Sequence, residues 1–508
     1  MNGTIARMML ELRQRINAWT SFRTLAQRLF GDVTKAALLA GAAASHPAWF
    51  LVSGDGAVVK LTSEGVRLLA TLPPPAPGPT VAAHEAAWAL RSYAEQLRPL
   101  RLSVDTTGPG RLVRERYLHE VKLQLADDDV RVADDTPVTL VSPGRRNDGH
   151  VVGVSRDEAV FYVAFFEQVL PIDTPAILEV NRSAPLFAVA DHLAAIDHDV
   201  VQFERLITAS PGVALSRDDS EQVARHLASM AQPWTRLLWG PPGAGKTRCV
   251  ATFTRSMLLT APDERVLLVA PSNVAVDAAL IELMAALDGT ATTRDFLNRH
   301  VVARFGYSRD KRVLAHHELF GSPELEELSD QILANFNEQR RREERGESAA
   351  ALAELKAINL QLQQERRQKM KAFLSSARVV ATTIASALAT EGPVFEAAPW
   401  QTIIVDEASM ISGASALLLA SCATRRFLVA GDPRQLGPIL EWRTGGERPG
   451  PDVHRWCATD PYELAGISTG SGLERRIETN DARLARILSQ RRCHPDIWSL
   501  AWIPTLGD

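Results

Sequence analysis

One stretch, Gly240-Pro-Pro-Gly-Ala-Gly-Lys-Thr247, constrains this chain more than any other. It has the spacing Gly-x-x-x-x-Gly-Lys-Thr, with the apolar run Thr235–Trp239 before it and a helix-forming segment after it. Its glycines let backbone N–H groups curl around an anion without a Cβ in the way. Lys246 offers a point charge to phosphate oxygens, and Thr247 offers a hydroxyl ligand to Mg²⁺. Gly240, Gly243, Ala244, Gly245, Lys246, Thr247 and Arg248 are therefore the candidate nucleotide contacts, with ATP and Mg²⁺ as the expected cofactors.

Two further apolar runs end in chemistry. Ile403-Ile-Val-Asp-Glu-Ala-Ser409 delivers Asp406, suited to hold Mg²⁺, and Glu407, suited to polarise an attacking water. A bare Asp-Glu after a strand is commonly only a strand terminus. Coupled to the Gly240–Thr247 loop it supplies the metal carboxylate and water-orienting group that phosphoryl transfer needs. Leu428-Val-Ala-Gly-Asp-Pro-Arg-Gln-Leu-Gly-Pro438 ends in a tight turn whose Gln435 amide could sense the γ-phosphate, with Asp432 buttressing it.

From residue 215 onward, five short apolar strands (Thr235–Trp239, Arg265–Ala270, Arg378–Ala381, Thr402–Val405, Phe427–Ala430) each run into a polar or Gly-rich loop. That pattern predicts a parallel sheet with helical crossovers, an α/β P-loop NTPase lobe over 215–289 and 376–485. A helical insertion at 290–375 separates the second strand from the third. Within it, nine Lys or Arg and five acids over 339–371 read either as a basic face for a phosphate backbone or as a solvated helix laced with ion pairs.

Ahead of the lobe, residues 1–75 read as a small α+β unit, either a winged helix or a helical cap with a hairpin around Ser53-Gly-Asp-Gly56. A Pro-rich linker and stalk helix occupy 76–100, a small β-barrel 101–190 and a second stalk helix 191–214. A formal net charge of −4 gives no global positive field, so any nucleic-acid contact must come from a local track. No apolar run is long enough for a membrane span. Four scattered cysteines without a CxxC pair argue for reduced thiols and a cytoplasmic protein. Ala- and Arg-rich usage points to a GC-rich bacterial genome.

The ordered segments GPPGAGKT (240–247), APSNVAVD (270–277), VVARFG (301–306), ATTIASA (381–387), VDEAS (405–409), GDPRQLGP (431–438) and QRRCHP (490–495) resemble superfamily 1 helicases. The branch is that of the nonsense-mediated-decay helicase, senataxin and the immunoglobulin-mu-binding helicase. The resemblance covers about 215–497 and implies an ATP-hydrolysing motor that tracks single-stranded DNA or RNA, 5′ to 3′, by gripping backbone. It places Pro271, Ser272, Asn273, Thr382 and Thr383 along the strand channel, although Ser272 and Thr383 also suit helix N-caps. It casts Lys246, Asp406, Glu407, Gln435 and Arg492 as catalytic, with Arg492 aimed at the γ-phosphate.

Departures from the pattern are specific. Where the family places an adenine-reading glutamine this chain has Asp219, with Gln222 three residues on. The position of the adenine-stacking tyrosine holds Arg491, which can itself stack on a base. Residues 486–508 fall where a second RecA-like lobe would begin. The resemblance therefore implies that this lobe is supplied by a separate chain or that the sequence is truncated. The competing class is a nucleotide-dependent binding or assembly subunit with no motor activity of its own.

Overall fold

A computed structural model of the chain describes residues 12, 20–30, 35–53, 57–62, 79–97, 99–108, 110–113, 116–124, 132–155, 159–165, 169, 176–196, 200–287, 292–388, 393–397, 399–438, 450–470 and 475–489. Near the N-terminus, β1 (Thr20–Ser21), β2 (Phe50–Val52) and β3 (Val58–Leu61) form a sheet in the order β1-β3-β2. The helices Phe22–Phe30 and Ala36–Ala44 pack on it through Phe22, Leu25 and Leu39.

The next seven strands are β4 (Leu100–Thr107), β5 (Arg111–Val113), β6 (Arg116–Leu123), β7 (Pro137–Ser142), β8 (Arg145–Ser155), β9 (Val160–Phe165) and β10 (Ala176–Val180). Their order is β4-β10-β7-β8-β9-β6-β5, and β4 also pairs with β6, so the antiparallel ladder closes on itself around Val104, Val121, Val151 and Leu178. Closure leaves only β5 as an edge. The helices Pro79–Gln96 and Ala184–Ala194 flank this barrel in sequence and share a core with the main sheet.

That main sheet has eight strands: β11 (Leu215–Arg217), β12 (Trp234–Trp239), β13 (Val266–Ala270), β14 (Val302–Arg304), β15 (Val379–Thr383), β16 (Trp400–Val405), β17 (Ala423–Gly431) and, after the short ladder of β18 (Ser468–Thr469) and β19 (Arg476–Ile477), β20 (Leu484–Ile487). The order is β11-β20-β12-β17-β16-β13-β15-β14, and every pairing is parallel. Side chains alternate between two cores as the two-residue strand period requires. Leu237, Leu267, Ile403 and Val429 face the helices Pro79–Gln96 and Gly413–Cys422. Leu238, Leu268, Ile404 and Leu428 face Lys246–Thr260 and Asn273–Leu287.

The sequence pattern registers five of these strands and passes over β11, β14 and β20. Residues 302–304 sit in the sheet beside β15, so the stretch read as a helical insertion at 290–375 contributes a strand between the helix Thr292–Asn298 and its later helices. The helices Pro323–Glu344 and Ala349–Ser376 then pack as a hairpin. Its Arg342 pairs with Glu338 at 2.9 Å, one turn away, as a solvated ion-paired helix would.

Candidate active site

β12 ends at Trp239 and the chain turns through Gly243 (φ 79°) and Gly245 (φ 92°), both in the left-handed region where a Cβ is costly. At Gly240, which lacks that backbone demand, the constraint is space: a Cβ there would lie 3.1 Å from both Ala244 Cβ and the Ile487 carbonyl. The helix Lys246–Thr260 then starts with no side chain capping its first turn, which leaves its N–H groups and positive dipole end for an anion. Lys246 is buried, and its ammonium donates to the carbonyls of Gly240 at 2.8 Å and Pro241 at 3.4 Å. A buried cation, a cradle of permissive glycines and an uncapped helix start together fit a polyphosphate.

β16 brings Asp406 and Glu407 to the same edge. Asp406 is 1% exposed. Burial, then the neighbouring Glu407 charge, push its carboxyl up to about 6, against the pull of the Thr247 hydroxyl and the Lys246 ammonium. The Thr247–Asp406 contact joins the two motifs the sequence pairs, and a buried carboxylate beside a hydroxyl is a donor set that suits Mg²⁺. Glu407 adopts φ 52° and ψ 41°, a left-handed conformation unusual for a residue with a side chain. The Asp406 carboxylate holds it there by accepting the Glu407 backbone N–H at 3.0 Å.

Gly431, at the end of β17, shields this turn. A Cβ there would lie 3.0 Å from the backbone nitrogens of Ala408 and Ser409. Backbone cannot swing aside as a side chain can, so Gly431→Ala is expected to cost about 1–3 kcal/mol of stability and to lower turnover by displacing Glu407. Urea denaturation alongside a turnover assay checks this; unchanged values in both would show that the turn yields freely.

The loop after β17 contains Asp432 and Gln435. Gln435 Nε2 donates to Asp432 Oδ2 at 3.4 Å, and Asp432 Oδ1 accepts from Trp239 Nε1 at 3.1 Å and from the Arg434 backbone at 3.1 Å. Asp432 thus ties Gln435 to the last residue of β12. Sequence reasoning missed Trp239, over whose ring Arg434 and Arg486 sit at 5.4 and 5.1 Å from the centroid. It also missed Tyr462, fully buried, whose hydroxyl donates to the Leu238 carbonyl at 2.7 Å and the Val429 carbonyl at 3.3 Å, clamping β12 to β17. The only sequence signal for Trp239 is its place directly before Gly240; Tyr462 has none.

Arg248 pairs with Glu221 at 2.6 Å on the surface. Asp219 caps the helix Ser220–Ser229 by accepting the Glu221 N–H. β20 lies between β11 and β12, beside the nucleotide loop, and Arg491 and Arg492 beyond it lie outside the described residues.

The candidate strand contacts cluster at the ends of β13 and β15. Ser272 Oγ accepts the Ala275 N–H at 3.2 Å and Thr383 Oγ1 accepts the Ser386 N–H at 3.0 Å, so both serve as N-caps. Pro271 and Ser272 are half-buried, while Asn273, Thr382 and Thr383 are buried. Asn273 is held by Arg304 Nη2 on its Oδ1 at 2.7 Å, and its Nδ2 donates to the Val152 carbonyl of the barrel at 3.2 Å. Two barrel carboxylates cover this cluster. Asp134 Oδ2 accepts the Asn273 backbone N–H at 2.7 Å, and Asp135 Oδ2 accepts from the hydroxyls of Thr383 and Ser386.

Burial raises both carboxyls. Asp134 rises to about 6, with the Asn273 N–H and Arg309 opposing and Asp135 adding to the rise. Asp135 is raised against the Thr383 and Ser386 hydroxyls and the Arg304 charge.

Among the described residues, no helix is long and apolar enough to cross a membrane. Comparison with known proteins concentrates on the same region. Residues 215–441, which contain the nucleotide loop, β16 and the Gln435 loop, match the AAA domain family. The chain is also similar to the DNA polymerase alpha-associated DNA helicase A of Saccharomyces cerevisiae, at 23% identity over 216 residues, 40% of this chain and 30% of that protein. It therefore spans less than a third of that relative's length, and the two matches together mark a helicase-like nucleotide-binding protein.

Proposed function

We propose that this chain is the first RecA-like lobe of an ATP-driven helicase or translocase of superfamily 1, in the branch named above, acting on single-stranded nucleic acid. The observation that carries the reading is the meeting of Lys246 and Thr247 with Asp406 at the carboxyl edge of one parallel sheet, with Glu407 held next to them. Mg²⁺ held by Thr247 and Asp406 supplies charge neutralisation at the phosphates when bound. Lys246 binds β- and γ-oxygens, Glu407 orients and deprotonates the attacking water, and Asp432 positions Gln435 as a γ-phosphate sensor.

A strand substrate is supported by the loops after β13 and β15, which present backbone N–H and small hydroxyl donors beside the same edge. That the yeast relative is named a DNA helicase points the same way. The N-terminal order β1-β3-β2 under two helices supports a winged-helix reading of that unit. In this proposal, 5′ to 3′ tracking and a cytoplasmic setting follow from the family resemblance.

Steady-state phosphate release, with and without oligo(dT) and oligo(U), tests the assignment, with Lys246→Ala as control. Turnover stimulated by one polymer and abolished in the variant is the expected result. Nucleotide binding without turnover under every condition would favour the non-motor switch. Failure to bind nucleotide at all would sink the proposal.

A further inference from the structure

The contact between the barrel and the ends of β13 and β15 has the chemistry of a phosphate site filled from within. A carboxylate and a phosphodiester both present paired anionic oxygens that accept charge-assisted hydrogen bonds. The donors here are the Asn273 backbone N–H, at the start of the helix Asn273–Leu287, and the hydroxyls of Thr383 and Ser386. Such donors contact a strand's backbone without reading its bases. Instead they bind Asp134 and Asp135, two consecutive acids on a turn ahead of β7.

That turn is built. The Asp135 N–H donates to the Val151 carbonyl at 2.6 Å, the Val151 N–H to the Thr136 carbonyl at 3.0 Å, and Thr136 Oγ1 to the Ala133 carbonyl at 2.7 Å. Asp135 sits at φ 62°, a left-handed conformation that is strained for a residue with a Cβ. Strain at a residue whose carboxylate is aimed at two hydroxyls points to a role for that carboxylate. The fixed cations nearby are Arg304, next to Asp135, and Arg309, whose guanidinium stacks 3.4 Å over the Tyr162 ring of β9. Arg309 ties the barrel to the lobe at the same seam. An approaching phosphate would meet two carboxyl groups already seated on its donors.

Resting on the proposed nucleic-acid reading, we infer that the Asp134–Asp135 turn of the barrel is a phosphate mimic, an internal gate that a strand must displace to reach Asn273, Thr383 and Ser386. The gate makes strand binding a competition. Affinity is set partly by how easily the barrel turn withdraws, and the seam between barrel and lobe becomes the moving part.

Asn is the informative substitution, because it keeps an acceptor oxygen for each donor and tolerates the left-handed backbone at 135. Asp134→Asn/Asp135→Asn is expected to bind fluorescein-labelled oligo(dT) or oligo(U) about tenfold tighter or more than the unaltered chain, the size of effect that charge-assisted bonds carry. In the unaltered chain, amide hydrogen exchange should show residues 132–136 losing protection when the oligonucleotide binds, while the Asn273 amide stays protected.

Equal or weaker binding by the variant, with the turn still protected at saturating strand, would overturn the gate and leave the nucleic-acid reading standing, the strand being bound elsewhere. If neither protein binds any strand while both bind nucleotide, the nucleic-acid reading fails and the gate with it. Should the variant not fold, the exchange measurement on the unaltered chain decides alone.

Discussion

Replacing Glu407 with glutamine is expected to leave nucleotide affinity near that of the unaltered chain while turnover falls by about 10²–10⁴-fold, the usual contribution of a positioned general base. The substitution keeps the volume and one carbonyl oxygen at the tip. Its backbone constraint, φ 52° with the N–H bonded to Asp406 at 3.0 Å, does not depend on the side-chain charge. What is lost is the acceptor that takes a proton from water. Lys246, the glycine cradle and the helix start, which are proposed to bind the phosphates, are untouched. Titration with a fluorescent nucleotide, beside single-turnover phosphate release, separates the two effects. If affinity and turnover fell together, Glu407 would be holding the loop in shape, and the water-activating role would have to move to another group.

How much of this was legible in advance depends on how far apart the partners lie along the chain. β12, β13, β15, β16 and β17 are buried on both faces, so each reads as a near-continuous apolar run. β11 and β14 are the two edge strands of three residues each, and β20 is four residues with an arginine in it. Such short segments become strands only because a neighbour supplies the ladder, and no local pattern encodes that. The nucleotide site was legible for the same reason in reverse. Lys246 and Thr247 share one loop and Asp406 and Glu407 one strand end, so each half of the chemistry is contiguous in sequence.

The cluster at the ends of β13 and β15 shows the limit. Asn273 and Thr383 were singled out, yet Asp135 reaches Thr383 across 248 residues of sequence, and nothing in Ala133-Asp-Asp-Thr136 announces that meeting. Short strands at intervals mark the barrel, and that spacing is silent about what its turns touch.

Arg304 carries the second large expectation, because its place at the end of β14 links the sheet to the donors at the ends of β13 and β15. Its side chain is fully buried, and burial lowers its pKa against the pull of Asp277. It donates to Asp277 at 3.2 Å, to Asn273 Oδ1 at 2.7 Å and to the carbonyls of Tyr307, at 2.6 Å, and Phe305. Asp277 in turn accepts from the Ser308 hydroxyl at 2.8 Å and the Arg309 N–H at 3.2 Å. Arg304→Met would strand a buried carboxylate and three oxygens at once, so a loss of about 3–5 kcal/mol is expected in urea denaturation. Arg304→Met/Asp277→Leu should recover part of it, since removing both charges also removes the desolvation of each, and the double-mutant cycle gives the coupling. At urea concentrations where Arg304→Met stays folded, its strand affinity should fall as well, because Asn273 loses the bond that orients its side chain. A loss within about 1 kcal/mol would mean that the network rearranges around a missing guanidinium, and Arg304 would then be packing rather than the tie between β14 and the strand edge.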